Sequence, residues 1–200
     1  TPGGGPPPPG SLEEQIDIIN GSPSYPLPDT IPVPPAGFEW EELFPNPLGY
    51  QTENPVCDEV YVLTGAGDIS NLRAAAAEGG VCILVPAGLT LNLSTTPLAV
   101  EDHTAIIGLG AGFTYEGSGI HIIGKDHILL RNGRQGTVAL DGIRLNHDGA
   151  DQIRIDQWTG GFAGDEMIDF WYGVGRVTLT RVVFPNTGKT DFGFLCGVDP

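Results

Sequence analysis

Asp165 and Asp169 stand four residues apart in Gly164–Phe170, G-D-E-M-I-D-F. Side chains alternate along a strand with period two, so even spacing puts both carboxylates on one face. Two carboxylates held together repel, and burying them uncompensated is costly. A face that carries both is therefore either fully solvated or holding a cation. The competing reading is an acidic loop edge in a very acidic chain. Parity adds a constraint. A strand beginning at Asp165 would turn Glu166, Ile168 and Phe170 inward together, and a buried Glu is rare. The expected strand therefore starts at Met167 and leaves Asp165 and Glu166 on a loop. Trp158, Phe162, Trp171 and Tyr172 surround this stretch in sequence; they are read first as core stacking and second as platforms for sugar rings. His103, His121, His127 and His147 show no paired spacing and are expected at the surface or along the rungs of the fold.

Composition bounds the chemistry. The net charge is −16, from 25 acidic and 9 basic residues. Such a surface does not attract nucleic acid or an anionic membrane, and it permits divalent cations. No apolar run reaches the length of a membrane span, and no signal peptide is visible. Cys57, Cys82 and Cys196 have no metal-finger spacing. One disulfide with a leftover thiol, Cys57–Cys82 being the pair to test, and three buried thiols are both open. Asn20-Gly21-Ser22 and Asn92-Leu93-Ser94 match the N-glycosylation pattern, a short pattern that chance often produces.

The sequence splits near residue 50. Thirteen of the 18 prolines fall in residues 1–50, and no Lys or Arg precedes Arg73. Residues 1–10 have linker composition, and residues 11–50 read as an irregular segment that packs through Phe38, Trp40, Leu43 and Phe44. A linker of this kind points to a multidomain secreted parent, with the domain itself monomeric. From residue 51 onward a single domain is expected. Ser70 reads as the N-cap of one helix that stops at Gly79-Gly80. Short apolar strands follow: Val81–Val85, Leu89–Leu93, Thr104–Ile107, Ile120–Ile123, His127–Leu130, Thr137–Leu140, Gly142–Leu145, Gln152–Ile155, Met167–Phe170, Arg176–Thr180 and Phe192–Cys196, with Val60–Leu63 before the helix. This is an all-β pattern, compatible with a β-sandwich or a parallel β-helix. Three features favour the β-helix: a single helix placed to cap an open end, corner residues that tolerate positive φ, and apolar segments recurring at about the length of one three-sided rung.

Laid out this way, residues 60–197 resemble the pectate lyase family of right-handed parallel β-helices. D-I-S-N-L-R-A-A-A-A-E-G-G-V-C-I-L-V-P-A-G is similar to that family's capping helix and first strand. Thr104–Gly112 is similar to its T-I-I-G-x-G-A turn, and Gly119–Asn132 to its G-I-x-I-x-x-x-x-N-V-I-I-R-N rung, with His127 in place of Asn. Asp141–Leu145 (D-G-I-R-L), Gln152–Phe170 and Arg176–Gly197, which holds G-K-T-D-F-G-F-L-C-G, complete six matches in family order. The resemblance implies that Asp141, Asp165 and Asp169 ligate Ca²⁺ and that Lys189 meets an acidic sugar. It further implies β-elimination on a polyuronate such as pectate by a secreted lyase.

The departures are specific. The family's I-D-H-C is Ile155-Asp156-Gln157-Trp158 here, Ala139 stands where some members add an acidic ligand, and the arginine-bearing segment that supplies the base does not follow Lys189. That arginine is expected beyond residue 200, with the domain incomplete at its C-terminus; neither Arg176 nor Arg181 occupies the matching position. The alternative is a non-catalytic carbohydrate-binding or surface structural β-helix. A glycoside hydrolase on the same fold is a third reading.

Overall fold

The structure, a computed structural model, describes residues 55, 57–146, 149–171 and 173–183, together with the backbone strand Phe192–Cys196. The expected linker of residues 1–50, Lys189 and the side chain of Cys196 lie outside the described residues. In chain order the elements are β1 (Glu59–Val62), α1 (Ile69–Glu78), β2 (Val81–Val85), β3 (Thr90–Asn92), β4 (Leu98–Ala99), β5 (Ala105–Gly108), β6 (Phe113–Gly117), β7 (Ile120–Ile123), β8 (Asp126–Val138), β9 (Ile143–Asn146), β10 (Asp151–Thr159), β11 (Phe162–Ala163), β12 (Glu166–Phe170), β13 (Val177–Thr180) and β14 (Phe192–Cys196). The strands coil as a parallel β-solenoid of about 5 turns. Each turn adds a strand beside its predecessor, which is why short apolar segments suffice: those inside the stack, such as β2, β5, β7, β9 and β12, are paired on both edges.

The register shows how the core is built. On the first side, Ile83, Ile106, Leu130 and Ile155 stack in one column through β2, β5, β8 and β10, all buried. On the third side, Leu98, Ile120, Ile143 and Ile168 do the same through β4, β7, β9 and β12. Each such side chain contributes on the order of 1.5–3 kcal/mol from burial. The second side runs through β3, β6 and the distal half of β8. Between sides the chain turns at single residues with positive φ. Asn132 (53°), Gln157 (52°) and Arg181 (51°) form one corner column, and His103 (55°), His127 (54°) and Gln152 (56°) another. Asn132 holds its corner by donating from Nδ2 to the carbonyls of Gly108 (2.9 Å) and Gly110 (3.0 Å).

Helix α1 lies against β2 and β4 at the start of the stack and buries Leu72 and Ala76. It begins two residues earlier than expected: Asp68, not Ser70, precedes it. Asp68 is drawn there by Tyr61 Oη (2.7 Å), the Thr64 amide (3.0 Å) and Asn71 Nδ2 (2.6 Å), all donating to its carboxylate. The helix stops at Gly79, whose φ of 76° ends it as the Gly-Gly pair implies. Arg73 fastens it to the following rung through the carbonyls of Leu93 (2.9 Å) and Pro97 (2.6 Å). Cys57 and Cys82 form a disulfide with Cα atoms 5.4 Å apart, which joins the entry of β1 to β2.

Three further differences from the sequence expectation are physical. The strands expected at His127–Leu130 and Thr137–Leu140 are one element, β8, bent at Asn132. Strands β4, β6 and β11 carry too few apolar residues to stand out, and pairing with neighbouring turns creates them. Strand β12 starts at Glu166 rather than Met167, and Glu166 is buried within it.

Candidate metal and carbohydrate site

The corner between the second and third sides brings carboxylates from two successive turns together. Ile143 pairs with Ile168, so the residue two before each, Asp141 and Glu166, are neighbours along the stack. Asp165 adjoins Glu166, and the Gly142 amide donates to the Glu166 carbonyl at 2.8 Å. Gly164 makes the turn possible: a Cβ there would collide with the Ala139 carbonyl, so only glycine lets Asp165 sit against the turn before it. One oxygen each from Asp141, Asp165 and Glu166 lies within 4.8 Å of the others. Asp141 and Glu166 are buried and Asp165 is exposed.

Asp169 is not part of that trio. Arg144, its register partner one turn earlier, donates from Nε to Asp169 Oδ2 at 3.1 Å and pairs through Nη2 with Asp141 Oδ2 at 2.7 Å. The guanidinium is itself about one-third exposed. Asp141 Oδ1 and Asp169 Oδ1 are buried with no hydrogen-bond partner among the described residues. Each carboxylate thus gives one oxygen to Arg144 and keeps one unsatisfied.

The electrostatics follow from this crowding. Burial first, then the Asp141 carboxylate and the charge of Asp165, push Glu166 up to about 7. Burial raises Asp169 as well, with Arg144 opposing and Asp141 adding to the shift. His121, in register with Arg144 on the preceding turn, is pulled below its usual value by burial and by the Arg144 charge, which Asp141 partly offsets. His121, Arg144 and Asp169 therefore lie side by side on successive turns, next to the corner that carries Asp141, Asp165 and Glu166.

The donor set suits a hard divalent cation. Calcium takes oxygen ligands, tolerates irregular geometry and leaves positions for water and substrate. The unsatisfied Asp141 Oδ1, close to a Glu166 whose ionisation burial and the neighbouring carboxylates oppose, is the feature a cation would relieve.

No known-family model matches this chain, and no curated protein sequence does either. The likeness to pectate lyases accordingly rests on the motifs in sequence and on the parallel β-solenoid.

The remaining site expectations are placed as follows. Asp141 and Asp165 come together, Asp169 sits beside them on Arg144, and Lys189 lies outside the described residues. Arg176 is engaged with Asp151 (Nη2 to Oδ2 2.5 Å) and Arg181 with Asp156 (2.6 Å), so both brace adjacent turns. Trp158 is core, packed edge-on to Phe113, whereas Trp171 is exposed just beyond β12. Glu166, Arg144 and His121 were not singled out in sequence. The signal for Arg144 and His121 was the alternation in I-R-L and I-H-I, where the central residue must face away from the core.

Proposed function

We propose that this β-helix is a calcium-dependent lyase acting on an acidic polysaccharide of the polyuronate class, with Asp141, Asp165 and Glu166 as the calcium-holding residues. The observation that carries it is the packing of three carboxylates on one corner with a buried, unsatisfied Asp141 oxygen. Calcium bound there would neutralise the uronate carboxylate and so acidify the neighbouring C5 proton. Arg144 supplies a fixed positive charge, partly exposed, to orient that carboxylate. His121, neutral near pH 7, accepts the C5 proton; the C4–O bond breaks as the C4–C5 double bond forms, and the leaving oxygen takes up a proton. Trp171 offers an exposed ring on which a sugar can stack. The Cys57–Cys82 disulfide supports an extracellular setting.

The Arg144 clamp on Asp141 and Asp169 favours a second reading, a carbohydrate-binding module without turnover. Polygalacturonate incubated with the protein and calcium separates the two. Lyase action yields ultraviolet absorbance from the unsaturated product, abolished in Asp141→Asn and lowered by about 10²- to 10⁴-fold in His121→Ala. Calcium-dependent binding without product leaves only the module. Neither binding nor product removes both.

A further inference from the structure

We propose that His103, Asp126 and His127 form a second metal site, for a divalent transition ion of the zinc type, at the corner where the third side turns into the first. Ligand-capable atoms of the three residues lie within 4.8 Å of one another. The two imidazoles stack with centroids 4.5 Å apart and an interplanar angle of 18°, so one ring must turn about its side-chain torsions for both lone pairs to meet at one ion, and Asp126 Oδ1 is 3.0 Å from His127 Nδ1. Two imidazole nitrogens and one carboxylate are the donors of a borderline ion, where calcium would want oxygen throughout. A tetrahedral ion held this way keeps one position for water.

The backbone holds the three residues side by side before any ion arrives. The Asp126 amide donates to Asp102 Oδ1 at 2.8 Å, and the His103 amide donates to the Asp126 carbonyl at 3.0 Å. Both histidines sit at positive φ, at equivalent places on successive turns. The fold does not require histidine at this corner: Gln152 takes the equivalent place on the next turn at φ 56°. His, like Asn, is among the residues that adopt this backbone, and of these only His brings a ring nitrogen that can ligate an ion.

Charge supplies the route. His103 also lines an acidic pocket of about 450 Å³, with Asp58, Glu78, Glu101 and Asp102 around it. Four carboxylates around a pocket that His103 lines raise the local concentration of divalent cations beside it. A single pairing of Lys125 with Glu101 offsets part of that charge and leaves the carboxylate excess. This site is on a different corner from Asp141 and Glu166, and it stands or falls independently of the lyase reading.

The test uses the full chain without an affinity tag, stripped with chelator, and titrated with Zn²⁺ by calorimetry and with Co²⁺ by visible absorption. The expected result is one equivalent of Zn²⁺ and a cobalt spectrum with nitrogen ligation. H103N/H127N should weaken Zn²⁺ binding by at least about tenfold, whereas D141N/E166Q should leave it unchanged. Asparagine tolerates the positive φ, and H127Q, which copies Gln152, provides a second variant whose fold is checked by circular dichroism. Zn²⁺ binding that is equal in wild type, H103N/H127N and H127Q would overturn the proposal, as would binding lost only in D141N/E166Q.

Discussion

Glu166 shares its corner with two other carboxylates, and burial pushes it up to about 7 from an ordinary 4.5. The folded state therefore binds this proton more tightly than the unfolded chain does. The stabilisation is fully present below about pH 4.5 and is lost as pH rises through 7. Between pH 5 and 8, with metal removed, thermal stability should fall by on the order of 1–3 kcal/mol. Glu166→Gln should flatten that slope, because the amide never ionises, and calcium should flatten it too by replacing the proton. A metal-free wild type whose melting temperature is constant or rises over this range would contradict the packing described for Asp141 and Glu166. Asp141 entered the sequence reading only through the family resemblance, and the even spacing that singled out Asp165 paired it with Asp169, which the structure places on Arg144 instead. Glu166 was not legible in sequence. The parity argument excluded it because a buried ionised carboxylate is rare; burial and the Asp141 carboxylate, distant in sequence and adjacent in the stack, oppose its ionisation instead.

Neighbouring strands make room for Trp158. Trp158 on β10 pairs with Gly133 on β8. A Cβ at Gly133 would strike the indole, so the glycine gives the ring its room. Across it the indole meets Phe113 edge-on and Tyr115 at a tilt, both with centroids 5.9 Å away. Trp158→Ala should cost about 3–5 kcal/mol by leaving a cavity. Gly133→Ala alone should also destabilise, through the clash. In the Trp158→Ala background that clash has no partner, so Gly133→Ala should become close to neutral. Urea unfolding of the four species reads this directly, and additive costs would show that the two residues do not contact. The strands themselves were mostly legible because Ile, Leu and Val mark the inward columns. The bends within β8 and β10 were not, since a single positive-φ residue such as Asn132 or Gln157 leaves no break in the polar–apolar pattern.

At the scale of the whole molecule, stability is a sum over stacked turns, with α1 closing one end and parallel pairing carrying order from each turn to the next. The one-helix, many-strand order was readable for that reason, while the alignment of corners was not, because it depends on how many residues each turn spends. The net charge of −16 acts on the whole stack as self-repulsion. Monovalent salt should relieve it weakly and without preference, by screening over about a Debye length. Calcium bound at a discrete corner should do more at equal ionic strength, since a ligand held only by the folded state adds about 2.7 kcal/mol at a hundredfold excess over its Kd. For a chain of this size that corresponds to a rise in Tm of about 5–10 °C. Melting curves in CaCl₂ and in NaCl of matched ionic strength should therefore separate, and the separation should vanish in D141N/D165N but persist in H103N/H127N. Equal shifts from the two salts would mean that calcium acts on this chain only as part of the ionic atmosphere.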